Sequence, residues 1–195
     1  MLKKVLGAAF AFAVIMTMSG CSTMHMGWTA VTKAHTLDDG AMPAYDAMFT
    51  KVAEYGDPAR AMMKEWKVQD GISGDDVKES ITVLADEYNM RLTGYVKMYT
   101  KEDAKPDEVM EARIWSLCNL TTAKVFLNYS RYYGGFMPCR IMYIKYGNGD
   151  AFLVSMDMTL AIHGGHTLPP EMLKMATLVQ KAMEGIPERA AKGDF

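Results

Sequence analysis

The stretch "IHGGHTLPPEM" sets His163 and His166 on either side of Gly164-Gly165, and imidazole nitrogen is a ligand for copper and zinc. A flexible glycine pair lets both rings turn to one point; a solvated turn ahead of a helix is the alternative reading of the same residues. Two imidazoles are too few for a closed tetrahedral centre. Further donors must therefore come from a nearby methionine, from Asp157, or from the same loop of a second copy. Such a site should weaken below about pH 6, where imidazole takes up protons. Thioether sulfur favours Cu(I), and the chain carries 19 methionines. They group as Met24-His25-Met26 and as Met156 and Met158 just ahead of His163. Phe152, Val154, Met156 and Met158 also share one strand face by the period of two, which assigns those methionines to core packing instead.

Cys21 closes the run "MLKKVLGAAFAFAVIMTMSGC", where Lys3 and Lys4 precede an uncharged apolar segment from Val5 to about Met18. This is the pattern of a secretory signal peptide, and it falls short of the roughly 20 apolar residues that cross a bilayer. Met18-Ser19-Gly20-Cys21 resembles a bacterial lipobox, with Met where Leu is usual. That resemblance implies cleavage before Cys21 and acylation of its thiol, and two or three acyl chains hold a protein on a membrane where one is marginal. Ser22, in place of Asp, implies by the same resemblance an outer-membrane lipoprotein facing the periplasm.

Cys118 and Cys139 then remain as an even pair in an oxidising compartment, at the end of one predicted strand and the start of another. They are candidates for a disulfide, with two buried free thiols as the alternative. Neither belongs to a Cys-x-x-Cys-His run, so covalent haem is excluded. Gly-x-Ser-x-Gly, Cys-x-x-Cys and His-Glu-x-x-His are all missing, and no glycine pair is followed by the Lys-Ser or Lys-Thr of a phosphate loop. Without Lys3 and Lys4 the chain has 19 basic residues against 23 acidic ones, a net −4 that gives no electrostatic footprint for nucleic acid.

The elements that must position these residues follow from pattern. Residues 22–40, poor in long aliphatic side chains, read as a tether, and "PAYDAMFTKVAEYGDPARAMMKEW" reads as two short helices broken at Gly56-Asp57-Pro58. "KVQDGI" is a candidate strand. Ser73 with Asp76 then makes a capping box for a helix whose Val77, Ile81, Leu84 and Tyr88 share a face. "RLTGYVKMY" and "EARIWSLC" are strands, and Asn119 caps a helix through Tyr132 that Gly134-Gly135 stops. Asn148-Gly149 between "CRIMYIKY" and "AFLVSMDM" marks a hairpin. From Pro169 a last helix turns Met172, Ala176, Val179 and Met183 inward.

"SLCNLTTAKVFLNYSRYYGGFMPCRIMYIKYGNGDAFLVSMDM", with the following "LPPEM" and the ending "AAKGDF", is similar to the domain of unknown function 302 family. The resemblance implies an α+β fold with a curved antiparallel sheet and helices packed against it, as in the TATA-binding protein, often as a homodimer. It carries no activity or ligand. The chain thus divides into a signal peptide (1–20), a tether with a short N-terminal helical extension (21–66), and the α+β domain (67–195). The leading expectation is a lipid-anchored, non-enzymatic module of the cell envelope that binds a small ligand or a metal. A structural or interaction lipoprotein acting as a dimer, and a redox or hydrolytic enzyme with an unmarked site, are the competing classes. A polar pocket near His163 would favour the first and an exposed apolar sheet face the second.

Overall fold

The computed structural model describes residues 21–194, so the expected signal peptide lies outside it, and of Cys21 only the backbone is described. The expected tether is largely helical: α1 spans Cys21–Lys33 and a single 3₁₀ turn covers Ala34–Thr36. Helix α2 (Ala41–Tyr55) ends where Gly56 takes a left-handed φ of 65°, and Asp57 caps α3 (Pro58–Met62) by accepting from the amides of Ala59 and Arg60. The chain then enters β1 at Met63–Lys67, four residues before the strand expected at Lys67. "MKEWK" consists of residues at home in a helix, but pairing of Met63 to Lys67 along a neighbouring strand overrides that preference.

Ser73 caps α4 (Gly74–Glu87) through the reciprocal box with Asp76. Strands β2 (Arg91–Thr100) and β3 (Val109–Cys118) follow, and Asn119 caps α5 (Leu120–Tyr129) by accepting from the amide of Thr122. The helix stops at Tyr129, and Arg131–Phe136 continues as 3₁₀ turns. Strands β4 (Cys139–Tyr146) and β5 (Ala151–Met156) form the expected hairpin, with Gly149 at φ 95° in the turn. A short α6 (Thr159–His163) leads to the long α7 (Pro170–Ala190).

All strand pairs are antiparallel, in the order β1-β5-β4-β3-β2. Helices α4 and α7 cover one face, where Val77, Ile81, Leu84, Met183 and Ile186 meet Trp115, Leu117, Ile141, Tyr143 and Leu153. Fully burying each such side chain stabilises by about 1.5–3 kcal/mol. A second cluster, Phe126, Ile162, Leu168, Met172 and Ala176, joins α5, α6 and α7 beyond the end of the sheet.

The buried face of β5 is Ala151, Leu153 and Ser155, opposite to the face expected from its larger residues. Period two leaves two choices, and α7 packs on the one carrying Leu153. Phe152 and Val154 therefore align with Ile144 and Met142 on the other face, and Val96 and Tyr99 extend this surface into solvent at 53% and 45% exposure.

Candidate functional site

Where α5 leaves the sheet, the chain brings four distant segments around one small cavity. Met90 comes from the turn before β2, Cys118 and Asn119 from the β3–α5 junction, Met137 and Cys139 from the start of β4, and Met156 and Met158 from the end of β5. Two thiols and four thioethers thus line a cavity of about 60 Å³. Since about 10–15 Å³ of space on this measure holds one water, the cavity takes a few waters, an ion or a small molecule. Its remaining wall is apolar and aromatic, with Phe126 packed edge-on against Tyr133 at a ring separation of 5.0 Å.

Both cysteines are free thiols, where a bridge was the sequence expectation. The register explains it: Cys139 pairs with Leu117, so Cys118 sits one residue out of step and the two thiols flank the cavity rather than meet across the ladder. Burial pushes the Cys139 thiol up to about 11, with the neighbouring Cys118 adding to it, and burial also raises Cys118.

Tyr133, Phe136, Met156 and Ala161 are shared between this cavity and a wider cleft of about 410 Å³. The cleft lies between α2, which supplies Ala44, Met48 and Lys51, and α6 with the glycines that follow it. Its polar side chains are Lys51, Ser130, Tyr132, Tyr133, Asp157 and Thr159. Burial raises the Asp157 carboxyl, but hydrogen bonds from the Thr159 hydroxyl at 2.6 Å and amide at 3.0 Å, with Lys64 and Lys51 nearby, outweigh it and hold the group below its ordinary value. Asp157 is therefore an anion at neutral pH, on the same cleft as Lys51.

The His-Gly-Gly-His loop closes the far side of this cleft by gripping the N-terminal extension. His163 Nδ1 lies 2.9 Å from Asp38 Oδ1, and His166 Nδ1 meets the Thr36 carbonyl. The Asp38 amide donates to the Gly165 carbonyl at 2.8 Å, and the Tyr45 hydroxyl donates to the Gly164 carbonyl at 2.8 Å. The Gly40 amide and then His163 keep Asp38 below the usual carboxylate range. Carboxylate and carbonyl can only accept, so both rings donate from Nδ1 and leave Nε2 without a protein partner at these contacts. Among the described residues no group of three or more His, Cys, Asp or Glu side chains is arranged around a common metal position. Met24 and Met26 stand exposed on α1, 54% and 59%, away from both sites.

A buried charge network, unmarked in the sequence, lies at the other end of the core. Arg113 is 3% exposed; it donates to Glu111 at 2.7 Å, to Asp75 at 2.6 Å and to the Gly74 carbonyl at 2.8 Å. Gly74 is required there, since a Cβ would come within 2.8 Å of the guanidinium. This network ties α4 to β3; it borders neither the cavity nor the cleft.

No curated protein matches the chain. Among solved structures, the crystal structure of an uncharacterized conserved DUF302 protein from Bacillus stearothermophilus superposes with a TM-score of 0.50 at 16% identity, covering 66% of this chain and 98% of that one. That likeness supports the α+β fold with an open antiparallel sheet. Residues 66–188 match the family described as Domain of unknown function DUF302, from β1 through nearly all of α7 and including every cysteine and methionine of the cavity. The chain belongs to this family.

Proposed function

We propose that this protein is a lipid-anchored, non-enzymatic module of the cell envelope whose sulfur-lined cavity binds a soft metal ion, Cu(I) in the first place. The observation that carries the reading is that Cys118, Cys139, Met90, Met137, Met156 and Met158 all line one small cavity. Thiolate and thioether are the ligand types that select Cu(I) over harder cations. A bound cation also offsets the cost of ionising thiols in an apolar wall. The adjoining cleft, with Lys51 and Asp157 at its sides, is the entry path. His163 and His166, each engaged through Nδ1, remain candidates for a separate copper or zinc contact through Nε2 at the cleft's outer side. Anchoring rests on the lipobox-like Met18–Cys21 and the apolar run before it. Among the described residues no helix is long and apolar enough to cross a membrane.

The test is titration of the reduced protein with Cu(I) against a chromophoric chelator. The reading expects one tightly held equivalent, lost in a Cys118→Ser, Cys139→Ser double variant and kept in a His163→Ala, His166→Ala variant. Equal binding by wild type and the cysteine variant contradicts it.

A second reading, an interaction lipoprotein working as a homodimer, is favoured by one observation: the sheet face that carries Ile114 and Met142 continues through Val96 and Tyr99, which are exposed at 53% and 45%. It expects Val96→Lys to lower the mass measured by light scattering from that of a dimer to that of a monomer.

A further inference from the structure

Helix α1 stands apart from the domain, with Met24, Met26, Trp28 and Val31 exposed at 54%, 59%, 69% and 81%. Its 13 residues include Gly27, Thr23, Thr29, Thr32 and Val31, all modest or poor helix formers. An isolated helix shorter than about 12–15 residues is marginal in water even with good formers, so this one needs a surface to fold against.

Its pattern says which surface. Met24, Trp28 and Val31 recur at the spacing of one helical face, while Ser22, His25, Thr29 and Lys33, with Met26 as the one large apolar residue among them, fall on the opposite side. Cys21 precedes Met24 by three positions and Trp28 by seven, which is the same spacing. In the lipid-anchor reading the run from Val5 to Met18 is cleaved away and Cys21, the helix's first residue, carries the acyl chains, so a membrane lies at the start of α1. At 13 residues, about 20 Å, α1 is too short to span a hydrocarbon core of about 30 Å. Tryptophan prefers the headgroup boundary, and a lysine on the polar side meets anionic lipid.

We propose that α1 lies in the plane of the bilayer interface, with Met24, Trp28 and Val31 inserted below the headgroups and Lys33 among them. The inference rests on the lipid-anchor reading of Cys21 and adds a second, non-covalent contact to it. The helix then fixes the domain's distance and orientation at the membrane, which an irregular tether would leave free.

The experiment uses the full chain, purified from envelopes and reconstituted into phosphatidylethanolamine–phosphatidylglycerol vesicles with plain or brominated acyl chains. Trp66 and Trp115 belong to the domain, half-buried and fully buried, so bromine should reach only Trp28. Brominated vesicles should quench a blue-shifted part of the emission, and Trp28→Phe, at an exposed position, should remove that part and leave the rest unquenched. Equal emission in the two vesicle types, with an intact mass showing acylated Cys21, overturns the inference while the anchor stands; so does α1 pairing with a second copy, which also leaves Trp28 unquenched. An intact mass without acyl chains overturns the anchor reading, and quenching of such protein still decides whether α1 touches lipid.

Discussion

Burial of Cys139, which raises its thiol to about 11, makes metal capture at the cavity a proton-coupled event. Both thiols are protonated at neutral pH, and Cu(I) must displace those protons. Affinity should therefore rise with pH from 6 to 8, by about tenfold per unit for each proton displaced, and chelator competition at three pH values would measure it. A pH-independent affinity would mean that only thioethers bind. The histidine loop makes a second residue-scale case. Asp38 is depressed by Gly40 and His163, so its contribution is complete above the ordinary carboxylate range and lost as pH falls through the lowered value. Protection of the amides of residues 34–40, taken relative to the intrinsic exchange rate at each pH, should fall at acid pH and, at neutral pH, in the His163→Ala, His166→Ala variant. The contacts are local to the extension, so the melting of the domain should hardly change. His163 and His166 were visible in the sequence as a polar pair; their partners Asp38 and Thr36 were not, because those lie about 130 residues earlier and only tertiary packing joins them.

At the scale of elements, local signals survived where the local chemistry is self-sufficient. The Ser73–Asp76 box, the Asn119 cap, the Asn148-Gly149 turn and the inward stripe of α7 all concern residues that interact within a few positions of one another. The start of β1 and the inward face of β5 were illegible for the opposite reason: the first is decided by pairing with β5, the second by where α7 packs. Leu153→Ala should accordingly destabilise by about 2–5 kcal/mol, and Val154→Ala clearly less, when both are unfolded in urea. A reversed order would restore the other face of β5 to the core. Arg113→Ala should destabilise by about 1–3 kcal/mol, because the Gly74 carbonyl loses its buried donor and Glu111 keeps only Lys97, at 3.2 Å, as its cation.

Across the whole molecule, sulfur from four parts of the chain gathers at one end of the domain, and the N-terminal extension walls the cleft that leads to it. No motif could have revealed this, since Met90, Cys118, Met137 and Met158 have no fixed spacing and each alone reads as core filler. The membrane end of the account is tested by Cys21→Ser, which should leave an unprocessed precursor that lacks acyl chains by intact mass. The central claim, a soft-metal site made of sulfur, is tested most directly by copper X-ray absorption on the reduced protein loaded with one equivalent of Cu(I). The account predicts a first shell of sulfur alone, with a lower sulfur count in the Cys118→Ser, Cys139→Ser variant; a shell of nitrogen or oxygen, unchanged in that variant, would contradict it.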